Sequence, residues 1–223
     1  MPPVPSPFYV SYSAVLTWRE CRQKYVYQYL RRLKPRTSDL ALALGTYLHQ
    51  YLAHYYSLLP SNRAESAHSA ALTHVMTVVQ GEADVLERTA YAVDRDRLAL
   101  EIAELPETVR RLCERYYDYR GLADENLYTV MYCEKSLTVP LDDGIRTRGV
   151  IDLITREKAS GRIAIWEHKT TRNVPSMALR MADLQTILYR AVAEIEIEDL
   201  RVDSIVWNYV RTKPPSKPEM TLS

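Results

Sequence analysis

The sequence predicts a mixed α/β fold with the core order α-β-β-β-α-β, preceded by a helical N-terminal half. Three observations support this fold class. As far as residue 121, apolar residues recur at the three- and four-residue spacing of amphipathic helices. Beyond residue 127, short apolar runs with a period of two alternate with turn sequences, which is typical of strands joined by hairpins. A chain of 223 residues is also long enough to bury a sizeable core as one domain.

The N-terminal half divides into helical segments. The first helical pattern begins at Ser13, which can act as its cap, and runs through "SAVLTWRECRQKYVYQYLRRL". The second pattern, "DLALALGTYLHQYLAHYYSLL", ends before Pro60. Residues 63–121 are helical in pattern almost throughout, and Pro106 indicates a break or a new helix start within them. The proline-rich first seven residues are expected to form an extended lead-in.

Three strands joined by short turns follow the helical half. The strand patterns are "LYTVMYCEKSLTVPL", "GVIDLITRE" and "IAIWEHKT", and Asp143-Gly144 between the first two is a strong hairpin signal. The pattern "MADLQTILYRAVAEIE" then predicts an amphipathic helix, and "VDSIVWNYVR" predicts a last strand that is reached by a crossover. We therefore expect a helical region over residues 8–95, a core over residues 96–212 and a flexible tail over residues 213–223.

Composition argues against several classes of protein. The three cysteines form no CxxC pair and cannot all pair with one another, which argues against a secreted, disulfide-bonded protein. No run approaches the ~20 apolar residues of a membrane-spanning helix. The opening "MPPVPSPFYV" lacks the cationic and apolar regions of a signal peptide. A cytoplasmic protein is therefore expected.

Positive charge is concentrated at the N-terminus, although 29 basic and 28 acidic residues nearly balance over the whole chain. Residues 1–38 contain one acidic residue, Glu20, and seven basic residues: Arg19, Arg22, Lys24, Arg31, Arg32, Lys34 and Arg36. This concentration is compatible with a surface that follows a nucleic-acid backbone. The alternative is a solvated, arginine-rich helix face, which charge alone favours.

The clearest chemical pattern lies at the end of the third predicted strand. Because side chains alternate between the two faces of a strand, Glu167 and Lys169 share one face about 6.7 Å apart, and His168 points to the other. Asp152 interrupts the apolar second strand, and it can lie beside Glu167 because paired strands are about 4.8 Å apart. Crowded carboxylates raise each other's pKa unless a cation such as Mg²⁺ relieves them. Lys169 would then stand beside a bound water or phosphate, where it can stabilise negative charge.

A second interpretation of these residues involves no chemistry. Glu167 and Lys169 would form an ion pair at a fraying strand end, and Asp152 would be exposed on the surface. Each residue taken singly is more often of that kind. The spaced set on two paired strands favours a site.

These residues carry a family resemblance. Asp152, a fourteen-residue gap and Glu167-His168-Lys169 resemble the D-(x)n-(D/E)-x-K signature of the PD-(D/E)xK nuclease superfamily. Four further features resemble its RecB-type and phage exonuclease branch, in the family's order and over about residues 11–210. They are the opening helix "SYSAVLTWRECRQKYVYQYL", a G-x-x-x-H pattern from Gly45 to His49, Glu134 in the strand before the Asp152 hairpin, and a Q-x-x-x-Y pattern from Gln185 to Tyr189.

The resemblance implies a restriction-endonuclease-like core and a metal-dependent deoxyribonuclease, specifically an exonuclease of phage or bacterial DNA recombination, repair or processing. It implies that Asp152, Glu167 and Lys169 are catalytic, and that His49 from the helical region joins Asp152 and Glu167 in binding Mg²⁺ or Mn²⁺. A lone helical histidine is more often structural, but Gly45 one turn earlier allows close backbone approach. Glu134 would lie near the metal or its waters, with a cross-strand pair as its alternative role.

The resemblance also implies substrate contacts and partners. Gln185 and Tyr189, which share a helix face, would line the active site, although a polar helix edge is the alternative. Arg19, Arg22 and Lys24 would contact the DNA backbone without reading sequence. Single- or double-stranded DNA is the expected partner, in the host cytoplasm if the protein is phage-encoded. The chain has no Walker A lysine loop, so a helicase or recombinase partner would be a separate protein.

The chain departs from the iron–sulfur members of this branch. Those members pair a first cysteine with three near the C-terminus, and Cys21 matches the first, but no cysteine follows Lys169. Either there is no iron–sulfur cluster or this sequence stops before the other cysteines. We expect no cluster and a packing role for Cys21. The remaining histidines match no family motif and are expected to be structural or exposed: His54, His68, His74 and His168.

Two rival functions remain at the level of the sequence. One is a catalytically inactive DNA-binding subunit of a recombination complex that keeps a nuclease-like fold. The complete set of Asp152, Glu167 and Lys169 argues against it, because a decayed site usually loses one of them. The other is a structural α/β domain in which these charges coincide by chance.

Overall fold

A computed structural model describes residues 8–33, 40–89, 95–142, 144–181 and 183–212. Several predictions fall on residues outside these ranges. They are the lead-in over the first seven residues, Asp143 of the hairpin signal, the tail over residues 213–223, and Lys34 and Arg36 of the basic segment.

The predicted core order α-β-β-β-α-β is confirmed, and a short strand that was not predicted precedes the first helix. The helices are α1 (Tyr12–Glu20), α2 (Arg22–Tyr25), α3 (Leu40–Leu58), α4 (Ala64–Thr89), α5 (Arg95–Tyr116), α6 (Leu122–Leu127), α7 (Met177–Met181) and α8 (Leu184–Glu196). π-helical turns at Val26–Leu30 and Tyr117–Gly121 continue α2 and α5, and a 3-10 turn at Leu59–Ser61 follows α3. The strands are β1 (Phe8–Val10), β2 (Tyr128–Asp142), β3 (Ile145–Glu157), β4 (Ile163–Thr171) and β5 (Ser204–Arg211).

β3 is the central strand of a mixed five-stranded sheet. β2 pairs with it in antiparallel fashion along its whole length. β4 pairs antiparallel with residues 153–156, and β5 joins β4 in parallel after the crossover through α7 and α8. β1 pairs in parallel with residues 145–147 of β3.

The edge of β3 that faces β4 is interrupted. Because β2 occupies the opposite edge, β1 and β4 must lie on the same side of β3, at its two ends. Among the described residues, no strand pairs with residues 148–152 on this side. This interval, termed the notch, contains Asp152.

Helix α3 covers one face of the sheet because one side of it is apolar at helical spacing. Its buried side chains are Tyr47, Leu48, Tyr51, Leu52, Tyr55 and Tyr56. They pack with Leu153 and Trp166 of the sheet and with buried residues of α4 and α5 behind them. The first hydrophobic core therefore joins the N-terminal helices directly to the strands.

A second core lies on the opposite face of the sheet. Ile154 of β3 and Ile165 of β4 pack there against Val192 and Ala193 of α8. The apolar side of α8 faces this core. Its polar side carries Gln185 and leaves that residue at the border of the notch.

The N-terminal helix differs from the prediction. Ser11 caps it, since the Ser11 Oγ accepts a hydrogen bond from the Ala14 N–H at 3.2 Å, and the predicted cap Ser13 lies within the helix. The helix breaks at Cys21, whose backbone is extended and whose Sγ accepts a hydrogen bond from the Lys24 N–H at 3.4 Å. Cys21 is exposed, so the expected packing role is wrong. Cys21 is therefore the C-terminal cap of α1 and the N-terminal cap of α2.

Helix α5 continues through Pro106, so the predicted break or new start at this residue is wrong. Proline removes one backbone donor and strains a helix interior. Here Leu105, Val109 and Leu112 are buried along one side of the helix, and this packing holds it together. Tertiary burial thus outweighs the local preference.

The three cysteines are free thiols. Cys113 is buried in the first core. Cys133 is partly buried and packs against the same core. In the ranges that the structure describes, no helix is both long and apolar enough to cross a lipid bilayer.

Candidate active site

The notch opens into a cleft of about 1180 Å³. Seven of the residues singled out from the sequence line it: His49, Glu134, Asp152, Glu167, Lys169, Gln185 and Tyr189. They come from five elements, α3, β2, β3, β4 and α8. Arg19, Arg22 and Lys24 do not line this cleft and are exposed on α1 and α2.

Helix α3 lies close to the end of β4 at Gly45. A Cβ atom at this position would lie 2.9 Å from the Thr170 Oγ1, closer than real Cβ contacts allow. Glycine therefore lets the helix approach the end of β4. His49 lies one turn further along the same helix face, and its Nδ1 is 3.8 Å from the Asp152 Oδ1.

Asp152 lies where β3 changes the face that it presents. Leu153 packs in the first core and Ile151 in the second, although regular alternation would put both on one face. Opposite this point, Glu134 of β2 has a left-handed backbone with φ 49°. The irregularity presents the Asp152 side chain at the notch, where its Oδ2 accepts a hydrogen bond from the His168 N–H at 2.7 Å.

β4 alternates regularly and supplies two charged groups from one face. Ile165 is buried in the second core, and Glu167 and Lys169 continue that face towards the cleft. The Lys169 Nζ is 3.1 Å from the Glu167 Oε1. The Lys169 ammonium is thus held against the buried Glu167 carboxylate, next to the second core.

Helix α8 orients this pair. The Gln185 Nε2 donates to the Glu167 Oε1 at 2.9 Å, and the Gln185 Oε1 accepts from the Lys169 Nζ at 3.5 Å. Tyr189, one turn later, packs against the backbone of β3 at Gly149, where a Cβ atom would come within 2.7 Å of the ring. A glycine in the notch therefore makes room for the tyrosine.

Burial and repulsion disfavour the negative charges of the site. The pKa of Glu167 is raised to about 7, first by burial and then by the charge of Asp152, against the opposing effect of Lys169. Burial also raises the pKa of Asp152, although His49, the His168 N–H and Lys169 act in the other direction. Burial lowers the pKa of Lys169, but Glu167 outweighs it and the net pKa is raised. A bound cation would relieve both carboxylates.

The donor atoms fit a hard divalent cation. His49, Glu134 and Asp152 each offer one ligand atom, and these atoms lie within 4.8 Å of one another. The Glu167 Oε2 is buried, and no described residue donates a hydrogen bond to it. An oxygen-rich set with one imidazole suits Mg²⁺ or Mn²⁺.

His168 lies on the other face of β4 and is buried. Its ring stacks on Tyr56 with a centroid distance of 5.8 Å, and its Nδ1 is 2.8 Å from the Asn208 Nδ2. Burial lowers the pKa of His168 to about 3, so the ring is neutral. His168 contributes to the site through its backbone N–H.

The structure adds residues that sequence patterns did not single out. Asp183 caps α8 by accepting from the Gln185 N–H at 3.0 Å, and its Oδ2 is 3.8 Å from the Lys169 Nζ. An aspartate directly before an amphipathic helix is a capping signal that could have revealed it. Gly149 and Thr170 carry no such signal, because their importance arises from contacts with distant elements.

The comparison with known families agrees with this geometry. The family model of the PD-(D/E)XK nuclease superfamily matches residues 9–221, which include every element of the sheet except the first residue of β1. No curated protein matches the chain. Because the family match covers most of the chain, and the mixed sheet has the predicted core order, this protein belongs to the PD-(D/E)XK nuclease superfamily.

Proposed function

We propose that the protein is a Mg²⁺- or Mn²⁺-dependent deoxyribonuclease that hydrolyses phosphodiester bonds. Membership of the superfamily implies metal-dependent nuclease activity with DNA as substrate. One observation carries the proposal for this chain. The candidate ligands His49, Glu134 and Asp152 converge within 4.8 Å in the same cleft as the Glu167–Lys169 pair, whose atoms are 3.1 Å apart.

In this proposal His49, Asp152 and Glu167 hold the divalent cation, with Glu134 at its edge. Bound there, the cation would supply Lewis-acid stabilisation to the scissile phosphate and its attacking water. Glu134 has a strained backbone, which is typical of residues held in place at a functional site.

Lys169 is assigned the task of orienting water and stabilising charge. Three oxygen atoms surround its Nζ, from Glu167 at 3.1 Å, Gln185 at 3.5 Å and Asp183 at 3.8 Å. This environment holds the side chain as a charged donor rather than a base. Hydrolysis forms one P–O bond to water and breaks the P–O bond to the leaving sugar, and an ammonium beside the phosphate stabilises the charge that develops.

We further propose exonuclease activity of the RecB and phage type, in DNA recombination, repair or processing. The support is the joint occurrence of the Gly45–His49 and Gln185–Tyr189 patterns around one cleft. Linear and covalently closed circular DNA test this finer proposal. An exonuclease degrades the linear form and leaves the circle intact, whereas cleavage of both at equal rates would contradict it.

The nuclease proposal is tested with purified protein, end-labelled DNA and Mn²⁺ or Mg²⁺. We expect cleavage that a chelator abolishes. Lys169→Ala should lower the cleavage rate by about 10²–10⁴-fold, the range for a positioned group that acts on proton transfer or charge. Lys158→Ala is the matched control, since Lys158 is an exposed lysine in the turn between β3 and β4 and does not line the cleft.

Two results would contradict the nuclease proposal. One is the absence of cleavage by the wild-type protein with either metal. The other is equal cleavage by the wild type and Lys169→Ala. DNA binding without cleavage would instead favour the catalytically inactive DNA-binding subunit.

A further inference from the structure

Exposed aromatic side chains are concentrated at the N-terminus. Among the described residues, five aromatic side chains are clearly exposed: Phe8 (52%), Tyr9 (51%), Trp18 (47%), Tyr27 (44%) and Tyr119 (78%). Four of the five lie between residues 8 and 27, including the one phenylalanine of the chain. Exposed aromatic rings concentrated in one short segment are a candidate contact surface.

Arginines accompany two of these rings. The Arg22 guanidinium lies 5.1 Å from the centroid of the Trp18 ring, and the Arg31 guanidinium lies 5.9 Å from that of Tyr27. We term these four residues the aromatic–basic surface. Residues 8–33 hold five basic residues and one acidic residue, a net charge of +4, whereas the whole chain carries +1. Within the described ranges none of the five basic residues is in an ion pair.

We propose that the aromatic–basic surface binds single-stranded DNA on its way to or from the cleft. Trp18 and Tyr27 stack on unpaired bases, and Arg22 and Arg31 contact the adjoining phosphates. The inference rests on the proposed nuclease function, since it names the form of DNA that the cleft receives.

Helix α1 connects the cleft with Trp18 of this surface. Ser11, which caps this helix, lines the cleft, and Trp18 follows it by seven residues. A helix rises 1.5 Å per residue, so Trp18 lies about 10 Å further along the axis. That distance corresponds to about three nucleotides at the 3.4 Å spacing of one DNA strand. A strand that leaves the cleft along α1 therefore meets Trp18 within a few nucleotides.

The residue types favour a single strand over a duplex. In a duplex the base faces are stacked on one another, and a protein reaches only phosphates, sugars and groove edges. Arginines alone would serve such contacts. On DNA, an exposed aromatic ring can stack only where a base face is free. Ring–base stacking with neighbouring cations is the usual arrangement of single-strand binders.

Tryptophan fluorescence gives a direct test. Trp166 is buried and Trp207 is partly buried, so Trp18 is the exposed tryptophan of the three in the chain. We expect oligothymidylate, added in excess chelator so that no cleavage occurs, to quench the emission of the wild-type protein. Trp18→Phe should remove this quenching and retain most of the affinity for a fluorophore-labelled oligothymidylate, because phenylalanine can still stack.

Affinity measurements extend the test. Trp18→Ala and Tyr27→Ala should each weaken oligothymidylate binding by about tenfold, as is typical of losing one stacked base. Binding of a blunt duplex should change by less than about twofold, because duplex contacts are made by phosphates. Tyr119→Ala is the matched control, since Tyr119 is the exposed ring that lies outside residues 8–27, and it should leave both affinities unchanged. Circular dichroism of each variant checks the fold.

Three results would overturn the inference. The first is wild-type affinity of Trp18→Ala and Tyr27→Ala for oligothymidylate. The second is an equal loss for single strand and duplex, which would indicate phosphate contacts alone. The third is self-association that Trp18→Ala removes without any change in DNA binding, which would assign the surface to a protein interface. Because binding is measured without metal, a failure to cleave DNA contradicts the proposed nuclease and leaves this result intact.

Discussion

Asp152, a candidate metal ligand, holds a carboxylate in a largely buried position. Its side chain is largely buried, its pKa is raised by that burial, and it raises the pKa of Glu167 in turn. The only hydrogen bond that it accepts from the described residues is that of the His168 N–H, at 2.7 Å. Functional sites that hold unfavourable charge in this way lower the stability of the fold.

Asp152→Asn should therefore stabilise the metal-free protein. Asparagine keeps an acceptor for the His168 N–H and removes the charge. We expect a gain of about 1 kcal/mol, which is a rise in Tm of about 2–4 °C for a domain of this size. Mn²⁺ should raise the Tm of the wild type and leave that of the variant unchanged. Thermal unfolding followed by circular dichroism, with chelator and with Mn²⁺, measures both effects.

Asp118→Asn is the control for this substitution, because Asp118 is an exposed aspartate outside the cleft. It should change the Tm by little and preserve the response to Mn²⁺. A lower Tm of Asp152→Asn in chelator would show that the charge stabilises the fold, against the argument from burial.

At the scale of elements, the contact of α3 with β4 determines where His49 lies. The contact is close between Gly45 and Thr170, where a Cβ atom would come within 2.9 Å of the threonine Oγ1. The helix is held against the sheet by its buried tyrosines and leucines on the same side. It therefore has little freedom to move aside for a larger residue at position 45.

Gly45→Ala should destabilise the fold and displace α3. Overpacking of this kind costs about 1–3 kcal/mol of unfolding free energy. The displacement should also lower the affinity for Mn²⁺, because His49 moves with the helix. Adding Thr170→Ala, which removes the opposing Oγ1, should restore much of both losses. Urea denaturation and the Mn²⁺-dependent rise in Tm of the two single variants and the double variant measure the coupling.

Gly81→Ala is a matched control on α4, since nothing lies within 4 Å of a Cβ atom there. It should leave the stability unchanged or raise it by up to about 1 kcal/mol, the helix preference of alanine over glycine. Additive losses in Gly45→Ala and Thr170→Ala would show that this contact does not limit the approach of the helix.

At the scale of the whole molecule, a buried hydrogen-bonded network joins the helices to the sheet. The Tyr56 hydroxyl of α3 donates to the Asp124 Oδ2 of α6 at 2.6 Å and lies 2.6 Å from the Tyr116 hydroxyl of α5. The Asn208 Nδ2 of β5 donates to that Tyr116 hydroxyl at 3.1 Å and contacts His168 of β4. These polar contacts therefore link five elements behind the site: α3, α5, α6, β4 and β5.

Tyr56→Phe should lower the stability of the whole fold. The substitution leaves the buried Asp124 Oδ2 without its donor, and an unsatisfied buried group costs about 1–3 kcal/mol. The ring still stacks on His168, so nuclease activity at low temperature should persist. Urea denaturation measures the loss. Tyr119→Phe, which removes an exposed hydroxyl, should change the stability by less than about 0.5 kcal/mol.

Local sequence patterns were sufficient to predict much of the structure of this protein. The order of helices and strands, and the shared face of Ile165, Glu167 and Lys169, follow from the 3.6 and 2.0 periodicities of a chain that buries one side of each element. The side of β4 on which His168 lies follows from the same rule. The roles of these residues in catalysis remain a proposal.

Other features depend on contacts between distant segments. The notch exists because β1 pairs with β3 more than a hundred residues away. A strand of three residues is too short to show a clear periodicity in the sequence. Asp152 is turned to the cleft by an irregularity of two paired strands, and Pro106 stays helical because its neighbours are buried. Periodicity is a property of neighbouring residues, whereas the cleft is a property of elements packed together. The sequence therefore shows which residues are suited to the chemistry, and the tertiary structure decides which of them meet.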